Sequence, residues 1–111
     1  MTNPMKGEMT IELAGESHNC RLNVDALIKI ETALDMGILK ITQRLSDGDV
    51  RLNDIAVVLY HALRGGGNDV TDRDVKSMIQ NAGIVGATSQ VATLLVATLT
   101  DPNAEESEKK Q

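Results

Sequence analysis

Between Ile30 and Gly67 the chain alternates short aliphatic runs of helical period with glycines at 37, 48 and 65 to 67. A glycine inside a helix costs about 1 kcal/mol relative to alanine, so these positions read as breaks between short helices and not as the interior of one long helix. A chain cut this often must gain its stability by packing short helices together, because helices of this length are marginal alone. The core that does so is aliphatic. Tyr60 is the single aromatic residue, with no Phe or Trp, in 111 residues of which 41% are hydrophobic.

Period marks each element. Met9, Ile11 and Leu13 alternate with polar residues and predict a strand; Ala14 to Ser17 is a turn cluster, and His18 to Leu22 predicts the returning strand, with Cys20 and Leu22 inward. Two strands alone are marginal in water, so this hairpin must lie on helices. Asn23 or Asp25 can cap a helix reaching Leu34 that turns Leu27, Ile28, Glu31 and Leu34 to one side. Asp35 to Gly37 reads as a turn, and Ile38 to Leu45 as a second, short helix.

After a connector containing Val50 and Leu52, Asn53 is positioned to cap a helix from Asp54 to Arg64, whose Ile55, Val58, Leu59, Ala62 and Leu63 fit the amphipathic template. Thr71 and Asp74 suit a capping box for a fourth helix carrying Val75, Met78, Ile79 and Ala82 inward to a stop at Gly83. Ile84 to Ala87 reads as an apolar connector to a last helix marked by Val91, Leu94, Leu95, Thr98 and Leu99. The expectation is a mainly α (α+β) domain over residues 8–100, an N-terminal β-hairpin with a compact bundle of about five short helices. Residues 1–7 and the acidic tail 101–111 lack large apolar residues in helical or strand period and are expected to be disordered.

Several chemistries are excluded by what accompanies their key residues. Gly65, Gly66 and Gly67 follow a helix where a phosphate loop follows a strand, and no Gly-Lys-Ser/Thr comes after them. They read as a helix stop and, with Gly37 and Gly48, as candidate structural hinges. His18, Cys20 and His61 are too few and too dispersed for a zinc site. Asp47, Asp49 and Asp54 lack the ligand order of a calcium loop and read as caps and solvated carboxylates.

No pair of titratable groups is spaced as nucleophile and base, so no catalytic residue is named, no cofactor is expected, and the chain reads as a non-enzyme. The net charge of −5 argues against nucleic acid as a partner, as does the scarcity of cations in the helix after the glycine turn, where Arg73 and Lys76 are opposed by Asp72 and Asp74. A lone cysteine permits no internal disulfide, the N-terminal residues carry no secretory signal, and no apolar run approaches the roughly 18 to 20 residues of a membrane span. The partners to expect are other proteins, with no membrane involved. The apolar stretch from Ile84 to Leu99 reads first as core of this same chain, and one side of it is the candidate for a face toward another subunit.

Fifteen positions of the central stretch follow one pattern: Ile30, Glu31, Ala33, Leu34, Gly37, Ile38, Leu39, Ile41, Arg44, Leu45, Gly48, Asp49, Leu52, Asp54 and Ile55. In this the chain resembles a family of small tail-region proteins of bacterial gene transfer agents and long-tailed phages, over roughly residues 8–100. The resemblance implies tail morphogenesis in the cytoplasm of a bacterial host. Members are described either as tail assembly chaperones, which cover the tape-measure protein until tube subunits polymerise around it, or as structural tail tube components of the virion. Tube subunits of such tails are typically built on sheets that close into a ring across subunits, and a chain with one hairpin suits the chaperone role better. The resemblance thus implies the tape-measure protein and the tail tube subunit as partners, together with self-association.

Overall fold

Ala14 and Gly15 both take positive φ, 55° and 83°, the pattern of a two-residue type I′ turn that matches the right-handed twist of the strands it joins. The computed structural model describes residues 8–100, and the expectations for 1–7 and 101–111 lie outside them. Because two left-handed residues reverse the chain completely, the second strand begins at Glu16, earlier than the turn cluster suggested. Strand β1 (Glu8–Leu13) pairs antiparallel with β2 (Glu16–Arg21), with Met9 opposite Cys20 and Ile11 opposite His18. Ile11, Leu13 and Cys20 are buried beneath the hairpin, which rests β2 on the third helix and β1 on the last two.

Among the described residues five helices follow: α1 (Val24–Leu34), α2 (Ile38–Asp47), α3 (Leu52–Gly65), α4 (Asp72–Ala82) and α5 (Ile84–Thr100). The Asn23 side chain caps α1, accepting the Ala26 N–H at 2.8 Å. This helix buries Ala26, Ile30 and Leu34 and leaves Ile28 53% exposed, so the inward face is rotated from the expected one. Small Ala26 lets α1 come close to α3, and a close approach by the 26/30/34 row excludes Ile28 from the contact. Glu31, expected inward, instead accepts the Ile38 N–H at 2.8 Å and caps the next helix across the Asp35–Gly37 turn. Ile41 and Leu45 anchor α2, which runs on to Asp47 and stops at Gly48 with φ 76°.

Leu52 belongs to α3, not to a connector, and Arg51 holds the N-cap position expected of Asn53. Arg51 has no acceptor oxygen on its side chain. Asp54 therefore does the capping, its carboxylate accepting the Arg51 backbone N–H at 3.0 Å and the guanidinium at 3.2 Å. These bonds satisfy a carboxylate that is only 3% exposed. The expected stripe of Ile55, Val58, Leu59, Ala62 and Leu63 is buried throughout. Thr71 and Asp74 form the reciprocal capping box of α4, with bonds of 3.1 and 2.9 Å. Val75 and Ile79 are buried, while Met78 and Ala82 are half-buried.

Gly83, at φ 92°, turns the chain through 113° between α4 and α5. The Ala87 N–H bonds to the Gly83 carbonyl at 2.9 Å, so Ile84 to Ala87 forms the first turn of α5 and not a connector. Along α5 the buried residues are Ala87, Val91, Leu94 and Leu95, with Thr98 and Leu99 half-buried.

The glycines at the end of α3 have a packing reason. A Cβ on Gly65 would collide with the Arg21 carbonyl, and one on Gly66 with the Asn19 carbonyl, so the helix end and β2 meet backbone to backbone. Asn68 ties this seam with its side-chain amide, donating to Asn19 O at 2.7 Å and Leu63 O at 3.0 Å. The other side of the hairpin is held by Gln90 of α5, whose Oε1 accepts the Glu12 N–H at 3.2 Å. Gly37, by contrast, has an ordinary φ of −66° and open space where a Cβ would lie.

Gly66→Ala is expected to destabilise the fold by about 2 to 3 kcal/mol, because two backbones must separate to admit one methyl group. Gly37→Ala is expected to stay within about 0.5 kcal/mol of the parent. Urea denaturation followed by circular dichroism measures both, and equal midpoints for the two variants would refute the seam.

Candidate functional site

The sequence of α5, Ile84 to Thr100, contains no charged residue. Its buried face explains half of that composition. The outer face is uncharged as well: Val85 is 83% and Val96 42% exposed, with Ser89, Thr93 and Thr100 also exposed between and beyond them. A helix face open to water usually carries charge, so this one departs from the ordinary amphipathic pattern.

The N-terminal turn of α5 meets three other helix ends. Gly83 folds α4 back so that Ile84 stands beside Leu52, the first residue of α3, and Gly48 stops α2 near the same place. Two grooves of about 600 Å³ each result, and Leu52 and Ile84 line both. One runs past Ala56, Ile79 and Gln80 to Lys76. The other runs past Leu45, Val50 and Ile55 to Asp47. The two grooves share Leu52 and Ile84 as a common wall, one arm lined by the cation Lys76 and the other by the anion Asp47, and this two-armed apolar trough leaves Leu52, Ile84 and Val85 more than half exposed.

In the sequence Leu52, Ile84 and Val85 read as connector residues, and connectors carry no periodic signature that would mark a trough. The signal the sequence does carry is the apolar stretch from Ile84 to Leu99, one side of which is the candidate for a face toward another subunit.

The other candidate residues are dispersed. Cys20 is fully buried under the hairpin, and burial pushes its thiol up to about 12, away from the thiolate form that reacts or binds metal. His18 lies on β2 opposite Ile11, whereas His61 lies on α3 beside Tyr60, with the rings edge to face at 5.2 Å. Among the described residues no three His, Cys, Asp or Glu side chains gather to hold a metal ion. Asp54 is taken by Arg51, Asp49 lies 4.0 Å from Arg44, and Asp47 faces the trough. Gly65 and Gly66 press on carbonyl oxygens, which would repel a phosphate.

A second, polar hollow of about 420 Å³ lies where α1 meets α3, lined by Lys29, Tyr60, His61 and Arg64. The Arg64 guanidinium sits 5.7 Å above the Tyr60 ring. Partial burial, followed by the charges of Lys29 and Arg64, holds the His61 imidazole below its ordinary value of 6.5. No single helix among the described residues is long and apolar enough to cross a membrane.

A family model described as phage tail tube protein, GTA-gp10, matches residues 6–101. No curated protein and no solved structure matches the chain.

Since the folded state lowers the His61 value, its contribution to stability is full above pH 6.5 and declines as the pH falls through 6.5 toward the folded value. His61→Gln is expected to flatten this part of the stability profile, read as urea midpoints between pH 5 and 8. An unchanged slope would show that His61 is not held neutral by the fold.

Proposed function

The chain belongs to the family described as phage tail tube protein, GTA-gp10, and from that premise we propose that it serves tail morphogenesis as an assembly chaperone for the tape-measure protein. The observation that carries this reading is the trough at Leu52 and Ile84, continuous with the uncharged outer face of α5. An apolar, helical stretch of a tape-measure protein presents aliphatic side chains at spacings of three and four, and a trough walled by helix ends can receive such a row. Burying exposed Leu52, Ile84 and Val85 supplies affinity at roughly 25 cal/mol for each Å² of apolar surface removed from water. Contact of this kind needs no cofactor and no bond-making chemistry.

The small sheet supports the same role. It has two strands, with the Asn19 carbonyl of β2 bonded by Asn68 and the Glu12 N–H of β1 bonded by Gln90. A tube closed by sheets across subunits would have to displace these bonds before strands could pair at Asn19 and Glu12. The chain is accordingly assigned to the host cytoplasm during assembly. Flexing as a client docks is assigned to Gly48 beside the trough, with Gly37 and Gly67 as further joints, since Gly65 and Gly66 are clamped against β2.

The family description itself favours a second reading, a structural subunit of the tail tube or of a tail junction. The two differ in stoichiometry. On the chaperone reading, the chain co-purifies with co-expressed tape-measure protein and is absent or substoichiometric in mass spectra of purified particles. Leu52→Glu is expected to cut that co-purification about tenfold or more while leaving the thermal melt unchanged. A full complement in mature particles with no capture of tape measure would establish the structural reading instead.

A further inference from the structure

The trough has a symmetry of charge that its apolar content alone does not require. Lys76 lines only the arm that runs along α4, and Asp47 only the arm that runs along the end of α2, with Leu52 and Ile84 common to both. We propose that two copies of this chain pack trough to trough about a two-fold axis near Leu52 and Ile84, bringing each Lys76 to the Asp47 of the other copy. The inference rests on the trough being the contact face, as in the function proposed above, and does not depend on which client it serves.

Three observations select a second copy as the occupant. Each chain carries a net charge of −5, so two copies repel least where they meet on a face of balanced charge. The trough, lined by one cation and one anion, is such a face, and it continues into the uncharged side of α5. A two-fold operation exchanges its arms and turns the separated charges into two opposite-charge pairs, the self-complementarity that an isologous contact requires.

The charges themselves are poorly served within one chain. Asp47 is the last residue of α2, where the negative end of the helix dipole opposes a carboxylate, and it makes no ion pair among the described residues. Lys76 pairs with Asp72 at 2.9 Å, but both side chains are about two-thirds exposed, and a pair so solvated holds its lysine weakly. A cation from a second copy relieves Asp47, and the same contact covers Leu52, Ile84 and Val85. Since the pair and a client would occupy the same face, they exclude one another, and the paired form keeps the trough covered until a client displaces it.

Sedimentation velocity of the full chain across a wide concentration range tests this. A reversible monomer–dimer equilibrium is expected, with Ile84→Glu raising the dissociation constant about tenfold or more. Lys76→Glu and Asp47→Lys, both at exposed positions, are each expected to weaken the dimer about fivefold, and the double variant to restore it. Circular dichroism melts establish that each variant is folded. A monomer at every concentration, a dimer indifferent to Ile84→Glu, or a double variant no tighter than the single ones overturns the proposal. If dimerisation fails while tape-measure co-purification persists, the pairing alone is wrong; if the dimer forms and no client is captured, the chaperone reading is.

Discussion

The fold depends on burying α3. That helix presents Ile55, Val58, Leu59, Ala62 and Leu63 to the interior and is met by β2, α1, α4 and α5. Without aromatic rings to bridge a gap, aliphatic side chains fill the core only if the backbones around them stand close, because a void forfeits dispersion contacts as well as burial. The demand is most acute where α3 ends. There Gly65 and Gly66 bring the helix against β2 with no side chain between them, and Asn68 fixes the seam. Tyr60, the one Phe, Tyr or Trp residue in the chain, stays on the outer side of α3, half-buried, where it supports Arg64 and His61.

What the sequence made legible follows from the same constraint. The inward stripe of α3 was readable residue by residue because a helix surrounded by partners has one consistent interior pattern. The Thr71–Asp74 capping box was readable because both bonds are local. The inward face of α1 was not, since Ile28 and Ile30 are equally apolar and only contact with α3 selects Ile30. Nor was the start of α3. A carboxylate at Asp54 reaching back to Arg51 replaces the N-cap side chain that sequence rules look for.

The trough lay further from reach because it is made of helix ends. Periodicity describes the flank of a helix, whereas Leu52 and Ile84 open α3 and α5, and Asp47 closes α2. Whether such residues form a connector or a wall is decided by turn geometry, here the single-residue reversal at Gly83 and the stop at Gly48. The family pattern in the sequence includes Gly48, Asp49, Leu52, Asp54 and Ile55, so the resemblance falls on the stretch that builds one arm of the trough and the start of α3.

The bond from Glu12 to Gln90 has a meaning for a chain that carries an outer strand. A strand edge is a template: its outward N–H and carbonyl groups can recruit another strand, whose own far edge recruits the next. At Glu12 that row is interrupted by the side-chain amide of Gln90 on α5, which takes the donor a foreign strand would need. A strand adding along β1 would therefore have to displace the Gln90 amide before it could pair at Glu12.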